Sequence, residues 1–387
     1  MLKSLNNDNK PLTLGILGGG QLAKMLASAA YRLGINIAVI ENHHHSPAGD
    51  MTKNDFIHGW NNDEDLEKFV EECDIITLEN EFISPDILEK IEKTKNVYPS
   101  SKTMRLVQDK FIQKNTFQNA GLPVPVFTSL ETIEDALKFG NSHGYPYVIK
   151  SRKMGYDGYG NATIESPEAI TPAWNKFKAD PLRSDMMAEK FVYFTKELAV
   201  MVARSTNGDT AVYPCVETIQ LNHICNSVVA PAEIDIKLQE LAKEISVKAV
   251  EAIDGIGVFG IELFLTKDNE ILINEIAPRP HNSGHYTIEC CYCSQYENAI
   301  RAICGLPLGS TEMIKPGGAM VNLLGVRDGS GVPKDITKVL AHYDVWLHLY
   351  NKKGSRKGRK MGHITAMADT PLEALDKATK AANDIIW

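Results

Sequence analysis

Several features that define a class of protein are missing from this sequence. No window approaches the roughly 18 apolar residues that a membrane helix requires, so we expect no membrane-spanning segment. The first eleven residues, MLKSLNNDNKP, are polar and lack the apolar run of a signal peptide. The seven cysteines are an odd number, which favours reduced thiols and a cytoplasmic location over a disulfide framework.

An excess of positive charge is missing as well. The formal net charge of −8 argues against a general nucleic-acid binder. Cys290 and Cys293 form a Cys-x-x-Cys pair, but no second pair completes the four ligands of a structural zinc site. The P-loop spacing and the nucleophile elbow are also absent. What remains is a globular chain whose 387 residues suffice for two or three domains.

The alternation of strand and helix patterns predicts a βαβ domain with a parallel sheet over roughly residues 11 to 100. A mostly helical segment follows and ends at Gly121, before a proline-spaced linker. Beyond it we predict a mixed α+β region with a helix near residues 232 to 252. A hairpin is predicted in VFGIELFLTKDNEILINEI, and strands and a final helix follow residue 306.

A glycine motif marks the first strand-to-helix turn. Gly18-x-Gly20-x-x-Ala23 follows a strand, and Glu41 ends the next strand, which matches the dinucleotide-binding fingerprint. Taken alone, the motif indicates an NAD-dependent enzyme. Glycines let backbone N–H groups approach any phosphate or anion, however, and a tight turn without a ligand has the same spacing. The motif therefore does not name its ligand.

A second glycine-rich loop lies in KSRKMGYDGYGNATI, residues 150 to 164. Lys150 ends an apolar strand, so its ammonium and the backbone N–H groups of the loop could neutralise phosphates. Hairpin turns have a similar composition. The loop therefore predicts a phosphate-binding lid or, on the simpler interpretation, a turn.

The predicted hairpin carries a more specific signal. If Asp268-Asn269 is its two-residue turn, Glu262 lies opposite Glu275, with the Cβ atoms about 5 Å apart. Like charges at that distance repel, and a hard cation that bridges the carboxylates and nucleotide phosphates would compensate. Two solvated glutamates on an exposed face are the alternative.

Two further stretches are rich in hydrogen-bonding groups. INEIAPRPHNSGHY, residues 273 to 286, holds Arg279 between two prolines, which restrict the backbone and preorganise the cation. KKGSRKGRK, residues 352 to 360, has six basic residues in nine. It predicts either a solvated charged loop or a site for a small phosphorylated ligand.

On these motifs the sequence resembles the ATP-grasp superfamily and, within it, the N5-carboxyaminoimidazole ribonucleotide synthases, which are ATP-dependent carboxylating enzymes of purine biosynthesis. The resemblance runs over nearly the whole chain, from ILGGGQLAKML through NEIAPRPHNSGH to GRKMGH. It implies an ATP-grasp fold of the α/β and α+β class, with a Rossmann-like N-terminal domain and a small β-rich C-terminal domain. The implied domains are 1–105 (N-terminal), 106–193 (lid), 194–306 (catalytic) and 307–387 (C-terminal).

The resemblance also implies roles for individual residues. Catalytic roles fall to Asp157, Arg279 and His281, and magnesium ligation falls to Glu262 and Glu275. The substrate residues implied are Gln21, Glu79, Asn282, Ser283, Lys352, Arg359 and Lys360. The ATP-binding residues implied are Lys110, Lys150, Gly155, Tyr156, Asp157, Gly158, Tyr159, Gly160, Asn161, Glu189, Lys190, Phe191, Val192, Glu197, Gln220, Asn274 and Glu275. Tyr159 departs from the usual Arg or Lys, and Gln220 stands where many members have His.

The implied reaction is the ATP-dependent carboxylation of aminoimidazole ribonucleotide by bicarbonate, through carboxyphosphate, in a cytoplasmic homodimer. Asp157 is expected to orient the substrate amine, and no nucleic acid or membrane is expected as a partner. Three alternatives stay open. They are a formate-using glycinamide ribonucleotide transformylase, an NAD-dependent dehydrogenase and a non-catalytic nucleotide sensor.

Overall fold

The computed structural model describes residues 10–155, 160–221 and 224–387. Over these residues the chain forms a five-stranded, a four-stranded and a nine-stranded sheet, together with a two-stranded ribbon. The first sheet is parallel, and the others are antiparallel. The predicted α/β and α+β class is confirmed. None of the helices in the described part of the chain combines the length and apolar character that crossing a bilayer takes.

The N-terminal domain is the predicted parallel sheet with helices packed on it. Its strand order is β3-β2-β1-β4-β5, so the order reverses between β1 and β4. The apolar face of the first helix, from Leu22 to Ala30, is buried. Strands β1 to β5 are Thr13–Leu17, Asn36–Ile40, Asn54–Phe56, Ile75–Leu78 and Asn96–Tyr98. Helices α1 to α3 are Gln21–Arg32, Asp63–Glu72 and Pro85–Glu92.

The helical segment before Gly121 is two helices, α4 (Ser101–Val107) and α5 (Lys110–Asn119). The break falls at Asp109, because its carboxylate accepts hydrogen bonds from the first backbone N–H groups of α5 and so starts a new helix. Gly121 has φ 71°, the left-handed conformation that glycine favours after a helix. The segment thus ends where the sequence predicts.

The lid domain is a four-stranded sheet in the order β6-β9-β7-β8. Its strands β6 to β9 are Phe127–Leu130, Tyr147–Ser151, Asn161–Ile164 and Met186–Lys190. Its helices α6 and α7 are Ile133–His143 and Ile170–Lys178. Aromatic and aliphatic side chains from both helices and the sheet form its own core.

The nine-stranded sheet continues across the predicted boundary at residue 306, because β13 pairs with β16. Strands β10 to β15 are Phe194–Arg204, Thr210–Val212, Val216–Leu221, Ile224–Ala230, Gly257–Thr266 and Ile271–Ala277. Strands β16 to β20 are Gly317–Leu324, Gly329–Ser330, Val345–Leu349, Gly354–Ser355 and Lys360–Ala368. Helices α8 to α11 are Ile236–Ala252, Thr287–Cys290, Gln295–Ile303 and Pro371–Asn383.

The turn of the β14–β15 hairpin differs from the prediction. The backbone N–H of Thr266 donates to the carbonyl of Glu270 at 2.9 Å, so three residues, not two, form the loop. Asn269 has φ 61°, a left-handed conformation that asparagine tolerates better than most residues. The predicted two-residue turn at Asp268-Asn269 is therefore wrong.

A β-bulge further along the hairpin restores the predicted pairing. Leu263 pairs with Ile273, but Glu262 pairs with Glu275, so Asn274 is the extra residue on β15. The predicted opposition of Glu262 and Glu275 is confirmed, although by a different route. Because the bulge re-aims side chains, Asn274 also reaches Glu262, to which its Nδ2 donates at 3.4 Å.

Candidate active site

The glycine turn after β1 is filled by carboxylates of the chain itself. Glu79, at the end of β4, accepts hydrogen bonds from the backbone N–H groups of Gly20 at 2.9 Å and Ala23 at 3.2 Å. Glu41 accepts from the N–H of Gly19 at 3.1 Å. These are the groups that a dinucleotide pyrophosphate would need. The NAD-dependent alternative is therefore wrong for this turn, and the internal carboxylates satisfy the helix N-terminus.

The two hairpin carboxylates carry different charges. Burial raises the pKa of Glu262 to about 8, and the neighbouring carboxylates of Glu275 and Glu197 add to the effect. Burial also acts on Glu275, but its ion pair with Lys110 outweighs burial and lowers the pKa to about 2. Near neutral pH, Glu262 is therefore mostly protonated while Glu275 is ionised.

This pair fits a hard divalent cation. Oxygen ligands from carboxylates suit magnesium, and a cation would stabilise the ionised form of Glu262 against the repulsion of Glu275. Among the described residues, no group of three or more His, Cys, Asp or Glu is placed to hold a metal ion. If this pair held magnesium, the protein would supply two carboxylates, and the remaining ligands would come from phosphate oxygens and water.

Three lysines lie beside the hairpin. Lys110 pairs with Glu275. Lys150 lies 2.7 Å from an oxygen of Glu189 and donates to Asn274 Oδ1 at 3.2 Å. Lys114 lies 2.6 Å from the other oxygen of Glu189. The structure thus brings Lys110 and Lys150 together as predicted, and it adds Lys114.

Lys114 escaped the sequence-based prediction. Its burial, and the positive charge of Lys150 and Lys110, lower its pKa to about 8, although Glu189 acts in the opposite direction. One signal was present, because Lys114 follows Lys110 by four residues and so shares its helix face.

Arg279 is held by a carboxylate from the N-terminal domain. Its Nη2 donates to Glu81 Oε1 at 2.8 Å, and the side chains are 19% and 24% exposed. Burial acts against the charged guanidinium, but Glu81 and Glu79 raise the pKa of Arg279 overall. Glu81 was not predicted; its signal was its place two residues after Glu79 in TLENEF.

His281 is a neutral imidazole at neutral pH. Burial lowers its pKa to about 3, assisted by the positive charges of Arg279 and Lys360. Its Nδ1 accepts from the backbone N–H of Ser283 at 3.4 Å. Ser283 Oγ lies 2.8 Å from the same Nδ1, and the donor of that contact depends on the tautomer. In the tautomer in which Nδ1 accepts, the ring hydrogen is on Nε2, which lies 3.5 Å from Glu262 Oε1. His281 can therefore donate a hydrogen bond into the site.

Two buried amides that the sequence did not reveal hold this turn. Gln295 accepts from the backbone N–H of His281 at 2.9 Å and donates to its carbonyl at 2.8 Å. Asn322 exchanges two side-chain hydrogen bonds with Asn282, at 3.0 and 2.7 Å. Both come from distant elements, α10 and β16, so no local pattern indicates them.

The predicted adenine segment joins the lid domain to β10. The N–H of Lys190 donates to the carbonyl of Val126 at 2.8 Å, and the Phe191 and Tyr193 rings are 5.0 Å apart. The remaining predicted ATP residues lie on neighbouring strands or loops: Val192 before β10, Glu197 on β10, Gln220 on β12, and Gly155, Gly160 and Asn161 around the start of β8. Tyr156, Asp157, Gly158 and Tyr159 lie outside the described residues.

The basic loop faces the same site. Burial lowers the pKa of Lys352 to about 8, and Arg359 and Lys360 contribute while Glu79 opposes them. Lys352 Nζ donates to the carbonyl of Lys360 at 2.8 Å. Crowded, partly buried cations favour an anionic ligand over a fully solvated loop. Gln21 is the first residue of α1 and precedes Leu22, whose backbone N–H donates to Glu79 at 3.2 Å.

The chain matches three family models in order along its length. Residues 12–108 match the ribonucleotide synthetase preATP-grasp domain. Residues 115–296 match the ATP-grasp domain, and residues 318–377 match the phosphoribosylaminoimidazole carboxylase C-terminal domain.

Individual relatives agree with these matches. The chain is 41% identical to the phosphoribosylaminoimidazole carboxylase of Schizosaccharomyces pombe over 93% of its own length, and it spans 66% of that protein. It is 40% identical to the N5-carboxyaminoimidazole ribonucleotide synthase of Synechococcus elongatus, covering 91% of this chain and 88% of the relative. The Aspergillus clavatus N5-carboxyaminoimidazole synthase, solved with ADP and 5-aminoimidazole ribonucleotide, is 34% identical, with a TM-score of 0.87 and coverage of 96% and 98%.

Proposed function

The chain belongs to the N5-carboxyaminoimidazole ribonucleotide synthase family of the ATP-grasp superfamily, and we propose that it carries out that family's reaction. It carboxylates 5-aminoimidazole ribonucleotide with bicarbonate and converts ATP to ADP and phosphate, as a step of purine biosynthesis. The observation that carries the proposal is the opposed pair Glu262 and Glu275, which lies among Lys110, Lys150 and the Arg279 turn.

ATP lies between the lid sheet and the β14–β15 hairpin in this proposal. Lys110 and Lys150 neutralise the phosphates, and the backbone of the segment from Glu189 to Val192 binds adenine while Glu197 binds ribose. The Glu189 carboxylate takes no part in adenine binding, because both of its oxygens are held by lysines. Charge neutralisation and positioning are the main contributions a protein makes to phosphoryl transfer. The contacts that support these roles are the two lysines' positions beside Glu275 and Asn274. Magnesium, held by Glu262 and Glu275, would neutralise phosphate charge when bound.

Bicarbonate is phosphorylated to carboxyphosphate, which releases carbon dioxide to the substrate amine. Arg279 and His281 position the bicarbonate-derived oxygens. The support is electrostatic: Arg279 stays charged, while His281 is neutral and presents an N–H in the tautomer with its hydrogen on Nε2. A cation and a neutral donor stabilise a developing anion without bringing a second mobile proton to it.

The ribonucleotide occupies the space between the basic loop and the Glu79 region. Its phosphate is bound by Lys352, Arg359 and Lys360. The amine side faces Gln21, Glu79, Asn282 and Ser283. Support comes from the partly buried, mutually repelling cations of the loop and from the amide pair that fixes Asn282.

Asp157 orients the amine from the lid loop, in a role that its family position implies. A lid that excludes water has a physical purpose, because carboxyphosphate hydrolyses readily. Asp157→Asn should lower carboxylation far more than ATP affinity, measured by product formation and by ATP titration. Equal losses in both would argue against this role.

We further propose that the protein acts as a cytoplasmic homodimer that uses magnesium. The Vigna aconitifolia relative is named as chloroplastic, so the compartment is tested by localisation of the native protein. Light scattering measured over a range of concentrations tests the dimer.

The decisive experiment is ADP release measured with and without 5-aminoimidazole ribonucleotide and bicarbonate. We expect full turnover to require both, with formation of the N5-carboxylated product. Replacement of bicarbonate by formate is the control. Turnover supported by formate would favour a transformylase, and ATP binding without turnover would favour a nucleotide sensor.

A further inference from the structure

A buried group of three charged side chains lies behind the phosphate-binding lysines. Glu189 on β9 pairs through one oxygen with Lys150 on β7 at 2.7 Å and through the other with Lys114 on α5 at 2.6 Å. The side chains of Lys114, Glu189 and Lys150 are 2%, 3% and 9% exposed. The group joins the lid sheet to the helix that carries Lys110.

The charges of this group do not cancel. Two ammonium groups share one carboxylate, and their other near acceptors are neutral: the carbonyl of Ile273, 3.3 Å from Lys114, and the amide oxygen of Asn274, 3.2 Å from Lys150. A buried charge is unfavourable unless an opposite charge and hydrogen bonds compensate it. Packing alone does not account for Lys114, because an apolar side chain of similar length fills the same space without a charge.

Lys114 has a role when Lys150 binds a phosphate, as the proposed function requires. A phosphate oxygen competes with Glu189 for the Lys150 ammonium. If Lys150 were its only counterion, Glu189 would become an uncompensated charge as Lys150 turned toward the phosphate. The carboxylate is buried, so water would not compensate that charge. Lys114 removes that penalty, because it stays on the far oxygen of Glu189 and approaches from α5.

We propose that Lys114 is a positioning residue for ATP, which neutralises Glu189 so that Lys150 is free to bind the triphosphate. Lys114 does not contact the nucleotide in this arrangement. It sets ATP affinity through the charge of Glu189, and so its effect should vanish when that charge is removed.

Equilibrium titration of the full chain with magnesium-ATP, without the other substrates, tests this inference. Lys114→Met should weaken ATP binding by about tenfold or more, which corresponds to at least about 1.4 kcal/mol. Adding Glu189→Gln to that variant should restore affinity to within about threefold of the unsubstituted protein. The double variant keeps the same excess of one positive charge. Lys138→Met, on the exposed face of α6, is the matched control and should bind ATP normally.

A purely structural role predicts a different pattern. If Lys114 only supports packing, Glu189→Gln will not rescue Lys114→Met, and that result overturns the proposal. Unchanged ATP affinity in Lys114→Met also overturns it. If Lys114→Met does not fold, the double variant must still fold and bind ATP, because it contains no unpaired buried carboxylate; a double variant that fails as well refutes the proposal. A protein that binds ATP but forms no carboxylated product refutes the proposed function instead.

Discussion

The two hairpin carboxylates should respond differently to neutralisation. In Glu262→Gln, a mostly protonated acid is replaced by a neutral side chain of the same shape. We therefore expect Glu262→Gln to leave the free energy of unfolding almost unchanged below pH 4.5. With chelator present it should raise that free energy at pH 7 by up to about 3 kcal/mol, because the native carboxyl is protonated in the folded chain but ionised in the unfolded chain. Glu275→Gln removes the counterion of Lys110. Breaking a buried pair costs about 3–5 kcal/mol, but Glu275 is 37% exposed, so about 1–3 kcal/mol is expected.

Urea unfolding followed by tryptophan fluorescence measures both values, and the pH dependence gives a second test. Glu262 has a pKa raised from its ordinary 4.5 to about 8, so the folded chain binds the proton more tightly than the unfolded chain. The stability from Glu262 is complete below pH 4.5 and is lost as pH rises to about 8. Glu262→Gln should remove this slope. Equal destabilisation by both variants at pH 7 would refute the assigned charges.

The magnesium-dependent activity should show no such asymmetry, because both carboxylates are proposed ligands. Each variant should lose about 10²-fold or more in kcat, the usual effect of removing one group that stabilises charge in a transition state. Steady-state ADP release at saturating ATP measures this loss. A variant that keeps its activity would exclude its carboxylate from the magnesium site.

Three other substitutions test the surrounding contacts. Asn322→Ala should release the amide of Asn282 and raise the KM for the ribonucleotide about tenfold with ATP affinity unchanged; an equal change in ATP affinity would contradict this. Lys352→Met should raise the same KM by about tenfold, with a weaker salt dependence, since one phosphate contact is lost; a KM that does not move would place the phosphate elsewhere. Glu81→Gln should lower kcat about tenfold by loosening Arg279, while ATP binding stays normal; a stability loss without a kcat change would make the pair purely structural.

Local sequence patterns were sufficient to predict the helices and strands and to identify the family. Hydrophobic periodicity corresponds to the strands and helices of the N-terminal domain, and Gly121 corresponds to the observed end of the helical segment. The resemblance identified the ATP-grasp fold, and the family matches confirm it. These features depend on residues that are close in sequence, which is why sequence alone was enough.

Features that depend on distant residues were missed or only partly predicted. The hairpin loop is one residue longer than predicted, and the bulge at Asn274 compensates, because the register follows burial of the apolar face as well as the turn. The glycine turn indicated an anion, but that anion is Glu79, which lies 59 positions from Gly20 in the chain. Gln295 and Asn322 reach the site from elements that no local spacing relates, and the four-residue spacing from Lys110 was the one local signal for Lys114.

The observed ion pairs explain how so many charges coexist in one partly buried site. Lys110 has Glu275 as its partner, Lys150 has Glu189, and Arg279 has Glu81. Each carboxylate is an internal counterion for a cation that a phosphate or bicarbonate would otherwise have to neutralise alone. If the substrates bind at these cations as proposed, binding is an exchange of one anion for another, and its free energy depends on which charge then compensates the displaced carboxylate. When Lys150 turns to a phosphate, Glu189 keeps Lys114 as its counterion. When Lys110 turns to a phosphate, a divalent cation would compensate Glu275.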